Sequence, residues 1–535
     1  MDNTRENTGQ AAAGDASRTR NSTRNAMVGV VCQAATMILA FIGRGVFLHI
    51  LGEEYAGISG WFSRVLSILA ISELGIGTAI VVSLYKPIAS GDLGRIRATL
   101  RFLRRAYLYV GLAVLVLGLA LFPFLHLLLN QDTDLVNLRI VYAIYLAQSI
   151  SSYLFYGYKS AVFTASQQQS RIYFLTFVVS ALTTGAQMLS LVLWRNYYVY
   201  VGIFALSSVA KNLLIARSTD RAYPELKNAA RLQPGEDDEQ HLPKAERKNI
   251  FRNLFGLSLY RISGTVMNST STLVLGKFQG FALIGLYDTY LLVITAITTI
   301  LTLVFQSFTA SVGNLNVTAS PERKHFIFRC LNLLGGWLYG FSAVCLFVLI
   351  DPFIALAFGQ ARVFTDGWIV LMLVLNFLTS GLLENVIMHK DACGLFWQGR
   401  FRPVFSTALN IGLSIWWVTP LGLVGVILAQ VASRLLTTWW FDPWMVHHYA
   451  LKASVKGYAL QTGLVMLLTA GLCAALKALS LWLFPTASLG GLLVMMAICA
   501  VLPNALFFLV FRRWEEFAYL KAQGLTLWGR IRARV

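Results

Sequence analysis

Runs of about twenty apolar residues recur along almost the whole chain, and nothing else in it constrains the fold as strongly. Twenty helical residues cover the roughly 30 Å of a bilayer core, and backbone in lipid must satisfy its own hydrogen bonds, so each run reads as a membrane-spanning helix. The runs fall near 26–50, 58–85, 106–129, 137–162, 172–194 and 197–217, then near 254–278, 281–308, 327–350, 367–388, 403–418 and 421–441, and finally at 457–479 and 487–511. That makes fourteen spans, or as few as twelve if the tight hairpins 172–217 and 403–441 each count once. Charged residues make up 13% of the chain, against roughly 25% in soluble domains. The class is an all-α polytopic membrane protein.

The charges then set orientation. The 86–105 connection carries Lys86, Arg95, Arg97, Arg101, Arg104 and Arg105 against one acid, Asp92. Arg323, Lys324 and Arg329 lie in a matching later connection, and Lys390, Arg400 and Arg402 in another. The alternate connections hold Glu53, Glu54, Asp132, Asp134 and Asp351. Short basic loops stay in the cytoplasm, so both termini are expected there. The same placement explains the net charge of +19 without a nucleic-acid partner. Residues 1–25 are polar, with no apolar core of a signal peptide, and read as a disordered cytoplasmic tail. The tail 512–535 mixes Trp, Phe, Tyr and Leu with basic residues, as helices lying on anionic lipid do.

The polar stretch 218–253 divides the chain into an N-lobe, 26–217, and a C-lobe, 254–445, followed by two further spans in 446–511. A shift of 228 residues relates the lobes: Arg24-Asn25 falls on Arg252-Asn253, Gly52 on Gly280, Gly57 on Gly285, Arg95 on Arg323 and Arg101 on Arg329. A duplicated six-helix unit forming two pseudo-symmetric lobes around a central cavity is the architecture expected of a carrier.

Chemistry of other kinds is missing from the sequence. It has no GxxxxGK[ST] loop, GxSxG elbow or HExxH pair. Its six cysteines are scattered singletons, and neither they nor the seven histidines have metal-ligand spacing. His447-His448 reads as a solvated pair at the inner interface. The longest outer connection, about Asp351 to Asp366, is too short to build a catalytic site. No enzyme activity and no cofactor are expected.

Charges inside the spans carry the remaining signal, because a charge at mid-bilayer costs on the order of 3 kcal/mol and is rarely idle. They are Arg44, Arg64, Glu73, Lys211, Arg261, Asp288, Glu384 and Arg434. Lys211, Arg261, Glu384 and Arg434 lie toward the cytoplasmic ends, where long side chains can snorkel. Arg44 and Arg64 are each placed about 10 Å inward of the turn around Gly52–Gly57. Either Glu53 and Glu54 fold back onto them, or they form a cationic pocket for a phosphate, which guanidinium recognises bidentately. Glu73, in "SILAISELGIGTAIVVSLY", has Ala70 and Gly77 on its own face. It is read as a helix-to-helix clamp or as a carboxylate that takes and releases a proton or sodium ion.

The stretch from Gly43, "GRGVFLHILGEEYAGISGWFSRVLSILAISELGIGTAIVVSLYKPIASGD", resembles the polysaccharide-biosynthesis (Wzx-like) flippases of the multidrug/oligosaccharidyl-lipid/polysaccharide exporter superfamily. The matching elements are Arg44, Phe47, Leu51-Gly52, the Tyr55–Gly57 turn and "ELGIGTAI" from Glu73. "LYRISGTVMNSTSTLVLGKFQGFALIGLYDTYLLVI", from Leu259, resembles the family's second signature. The resemblance covers most of 24–445. It implies a cavity lined by the first, second, seventh and eighth spans, with Arg44, Arg64 and Arg261 for substrate and Glu73, Asp288 and Glu384 as ion-coupling candidates. The implied cargo is a polyprenyl-diphosphate-linked oligosaccharide in a bacterial cytoplasmic membrane, driven by H+ or Na+, with polymer-synthesis enzymes as further partners. The rivals are a lipid II flippase, a multidrug extruder of the same fold, and a non-transporting membrane scaffold.

Overall fold

The computed structural model describes residues 28–69, 92–125, 135–154, 159–166, 168–227, 244–484 and 486–532, with a few isolated positions between 84 and 90. Glu73, the tail 1–25 and the acids Asp132 and Asp134 lie outside the described residues. All the regular structure described is helical, and ten of the described helical segments are long and apolar enough to cross a membrane. The chain divides into two compact units, residues 1–265 with 280–282, and residues 266–279 with 283–535.

In the first unit, α1 (Val28–Ile50) turns at once into α2 (Glu53–Leu69). Gly52 makes the turn with φ +90°, a conformation that costs glycine no Cβ clash. Helix α3 (Leu93–Leu121) starts on Asp92, whose side chain accepts from the Arg95 amide, and packs with α4 (Leu138–Leu154). That contact is close because Gly118 lies under Leu146, and the Tyr142 hydroxyl donates to the Gly118 carbonyl at 2.8 Å. After the short α5 (Ser160–Ala165), α6 (Gln169–Trp194) and α7 (Tyr197–Ala222) pair through a two-residue turn. Arg195 ends α6 in the left-handed region, φ 48°, and Asn196 caps α7 by accepting from the Tyr198 and Val199 amides. Helix α8 (Lys244–Phe278) begins within the expected 218–253 linker, and α7 runs into the other end of that linker. The unit closes where α2 meets residue 281: a Cβ on Gly57 would lie 1.9 Å from the Phe281 carbonyl oxygen.

In the second unit, α9 (Phe281–Thr318) leads to α10 (Pro321–Phe358), against which α11 (Gly367–Gly381), α15 (Lys456–Leu483), α16 (Leu489–Phe511) and α17 (Glu515–Arg532) all pack. Small residues let them approach. Gly336 faces Val465 of α15, and Gly340 faces Thr469 of α15 and Phe507 of α16. The expected span 367–388 is interrupted: α11 stops at Gly381 and α12 (Glu384–Ala392) resumes after Leu382-Leu383. The expected spans 403–418 and 421–441 are the arms of one hairpin, α13 (Arg402–Leu436) continuing into α14 (Thr438–Val446), broken at Gly422 with φ 55° after Pro420. Arg402 reaches Asp442 at 2.7 Å and Thr437 reaches Ser406 at 3.0 Å, so the two arms lie antiparallel about Gly422. Each arm is about twenty residues, enough to span.

The step of 228 residues reappears in backbone detail. Gly52 and Gly280 have φ of +90° and +89°, each immediately before a helix. Asp92 and Ser320 are both N-caps, accepting from the amides of Arg95 and Arg323. Two expectations change. Asp351 sits inside α10 rather than in a loop, leaving 359–366 as the connection. His447 is 1% exposed and buried against Phe328 and Tyr458, whereas His448 is exposed and stacks on Trp444. Its neighbours come from α10 and α15, which no local pattern around residue 447 encodes.

Candidate functional site

Arg44 and Arg64 are both half-buried on the first two helices. They are not at equal depth. Arg44 lies six residues before the end of α1 and Arg64 eleven after the start of α2, about 9 Å and about 16 Å along their helices at 1.5 Å per residue. The expectation of equal depth took the turn as Gly52–Gly57, but α2 already begins at Glu53. The two residues are therefore staggered along their helices.

Near Arg44 the first unit places a group of hydroxyls. The Arg44 charge acts on the Tyr200 phenol, whose ring packs tilted against Phe47 with centroids 4.8 Å apart. Phe47 also contacts Tyr197, whose hydroxyl is 2.8 Å from Ser59 Oγ on α2. Tyr55 packs at a tilt against the same Tyr197, and the Tyr145 hydroxyl faces Ser59 and Ser63. Tyrosine at positions 145, 197 and 200, with serine at 59 and 63, thus joins α2, α4 and α7 beside Arg44. Such a cluster sets a positive charge beside neutral hydroxyls, groups that suit a negative charge and hydroxyl-bearing partners respectively. Sequence reasoning missed the tyrosines; the aromatic richness of 197–200, "YYVY", was their only local signal. Arg261, the third expected cation, is exposed on α8.

In the second unit, Asp288 is half-buried on α9, and Glu384 faces Thr302 of the same helix. Residues 288 and 302 are fourteen apart, about 21 Å along a helix, so the two carboxylates do not share one site. Glu384 stands at the break between α11 and α12, with Tyr339 and Asp391 also within its electrostatic reach. The carboxyl end of α11 is held from the hairpin. Arg434 Nη1 donates to Asn376 O at 3.1 Å, Asn376 Oδ1 at 2.9 Å and Thr379 Oγ1 at 2.9 Å, and Trp439 Nε1 donates to Thr379 O at 2.9 Å. Arg434 therefore does not snorkel. It sits where the half-helix dipole is negative, which compensates a cation without a carboxylate. Gln430 continues this network, donating to Ser271 Oγ at 2.5 Å and accepting from Asn376 Nδ2 at 2.9 Å.

One charged cluster was not foreseen at all. Asp442 is fully buried, bonded to Arg402, and in the field of buried Lys390 from α12. In the sequence Lys390 and Arg402 are topology signals only, and Asp442 lies just beyond the expected span 421–441. Among the described residues no group of three or more His, Cys, Asp or Glu is arranged to hold a metal ion.

No protein-family model matches the sequence, and no curated protein sequence matches it. Solved structures do match. The lipid II flippase MurJ, in an inward closed conformation, aligns with a TM-score of 0.65 over 91% of this chain and 99% of its own, at 13% identity. An inward-facing multidrug resistance MATE family transporter of the MOP superfamily aligns at 0.55 over 80% of this chain and 99% of its own, at 14% identity. A MOP superfamily transporter from Pyrococcus furiosus, whose binding pocket has reversed polarity, aligns at 0.54 over 82% and 97%, at 13% identity. Identities this low speak for fold alone. This chain is a multi-pass membrane protein with the fold of the MOP superfamily transporters.

Proposed function

We propose that this chain is a flippase for polyprenyl-diphosphate-linked saccharides, moving them across a bacterial cytoplasmic membrane by alternating access of two six-helix repeats. The observation that carries the reading is the set Arg44, Tyr145, Tyr197, Tyr200, Ser59 and Ser63, a cation among sugar-compatible hydroxyls inside a membrane unit. The fuller likeness to a lipid II flippase than to drug transporters supports it, 91% of the chain against 80%. Arg44 and Arg64 would hold the diphosphate, with the exposed Arg261 meeting it during entry. An oligosaccharide repeat unit for surface polysaccharide is the cargo favoured by the sequence resemblance. Lipid II is the second reading, favoured by the MurJ likeness. Both share the diphosphate chemistry, whereas a cationic drug would meet the wrong sign of charge at Arg44.

Coupling to H+ or Na+ would run through Glu384, because a carboxylate at a broken helix in lipid can change partner at low cost. Glu73 and Asp288 remain the other candidates for that role. Basic connections on the cytoplasmic side would put both termini there.

The test is flipping of a fluorescent polyprenyl-diphosphate oligosaccharide in proteoliposomes, with and without a pH or sodium gradient. Wild-type transport lost in Arg44→Ala, and made gradient-independent by Glu384→Gln, is the expected result. Transport unchanged in both Arg44→Ala and Arg64→Ala would sink the diphosphate reading. Failure of the wild type to move either lipid-linked sugar, with transport of a cationic drug, would turn the assignment toward drug export.

A further inference from the structure

At the end of α10 remote from Arg323, Lys324 and Arg329, the second unit carries a cavity of about 240 Å³ that is open to the surface. Its walls come from α10, α15, the 359–363 turn and the connection into α16. None of the residues discussed for the transport site belongs to it. Asp351 and Lys477 line one side, 3.1 Å apart, and the carboxylate is fixed from behind by the Tyr290 hydroxyl at 2.9 Å. The ammonium also lies 5.5 Å from the Phe347 ring centroid. The rest of the wall is mainly apolar, with Gln360, Ser480 and Thr486 among it, whose side chains make no hydrogen bond to the described residues, and Ser488, which caps α16. Arg362, on the same turn as Gln360, is folded back onto the Phe358 carbonyl and does not line the cavity.

Two features select a ligand. First, the ionised pair is mutually neutral, yet each partner keeps valence: a lysine ammonium has three donors and a carboxylate about four acceptor sites. A wall of this kind offers a negative and a positive pole a few ångströms apart, with neutral donors beside them. It favours a ligand that is itself dipolar and disfavours one carrying only negative charge. Second, the cavity lies beside lipid-facing side chains: Leu481, Trp482 and Leu489 are 61%, 79% and 64% exposed. Acyl chains would lie on these residues while the head enters the cavity.

We infer that this cavity is a binding site for the zwitterionic headgroup of a phospholipid of the phosphatidylethanolamine type. Its ammonium pairs with Asp351, and its phosphate takes donors from Lys477, Ser480 and Thr486. The lipid bridges α10, α15 and α16, so it is a structural ligand distinct from transported cargo.

The test uses the full chain, purified in detergent and stripped of lipid, then offered phosphatidylethanolamine or phosphatidylglycerol in mixed micelles, with bound lipid counted by native mass spectrometry. Wild type should retain phosphatidylethanolamine at about tenfold lower concentration than phosphatidylglycerol, the effect of one charged hydrogen bond. Ser480→Phe fills the cavity and leaves the ion pair intact; it should abolish that preference. The paired change Asp351→Asn with Lys477→Gln removes the poles without leaving a lone charge, and should lose it too. Equal retention of the two lipids by wild type, or a preference that survives both variants, would overturn the proposal. Should Ser480→Phe fail to fold, the paired variant decides. Retention is read with no transport substrate present, so its failure leaves the flippase reading intact.

Discussion

The two units satisfy their polar interiors in different ways. The second ties charge to charge across helices: Arg402 to Asp442, Lys477 to Asp351 and Arg329 to Glu516, at 2.7, 3.1 and 3.1 Å. Another interior cation, Arg434, is locked onto three oxygens of α11. Among the described residues of the first unit, neutral groups also join helices, Ser59 against Tyr197, Gln148 against Ser208 and Tyr142 against the Gly118 carbonyl, beside the ion pairs Lys159 with Asp220 and Arg95 with Asp92. Hydrogen bonds between helices in lipid contribute only about 0.6 kcal/mol each on average, because alternatives are close at hand. Breaking a buried ion pair by removing one partner costs about 3–5 kcal/mol. Helices joined by a buried ion pair, as at Asp442, are therefore held stiffly, whereas those joined by neutral hydroxyls, as at Ser59 and Tyr197, exchange partners at lower cost.

The sharpest way to break this contrast is to remove one acid from each unit. Asp442→Ala leaves Arg402 and Lys390 buried together and should destabilise by about 3–5 kcal/mol, read as a large fall in melting temperature in detergent. Asp220→Ala should cost less, since the Asp220 side chain is 23% exposed whereas that of Asp442 is fully buried. Equal losses would end the distinction.

Next come the two glycines whose added Cβ meets something at 1.9 Å, Gly57 against the Phe281 carbonyl and Gly381 against the Tyr339 ring. Overpacking of this sort costs about 1–3 kcal/mol or more. Gly57→Ala should be the worse, because backbone cannot rotate away while the Tyr339 ring can. Thermal melts of the two variants side by side give the order.

Arg434→Gln keeps one donor for Asn376 and should cost about 1–2 kcal/mol. It should also loosen the α11 end, seen as faster hydrogen exchange at 376–382 with no change at 53–69. The smallest effect expected is for Ser59→Ala, about 0.6 kcal/mol of stability. That variant should still weaken retention of a lipid-linked saccharide, and a large stability loss without a binding change would place Ser59 with the bracing residues instead.

Much of the architecture follows from the sequence alone. Apolar run length gives the spans, because a bilayer has fixed thickness. Gly52 and Gly280, and the caps Asp92 and Ser320, are local devices whose spacing of 228 residues could be read before their φ values were known. Arg44 and Arg64 stood out as charges in lipid. What only the tertiary structure decided is which face of each helix meets protein. In water an amphipathic stripe marks the buried face, but in lipid the outer face is as apolar as the inner one. Leu460 at 75% exposure and Leu206 at 70% look no different in sequence from the fully buried Ile58. So Tyr197 and Tyr200 beside Arg44, Asp442 between Arg402 and Lys390, and the break before Glu384 all stayed hidden. Each depends on neighbours from other helices, tens of residues or more away along the chain, and such contacts exist only once the helices have chosen their partners.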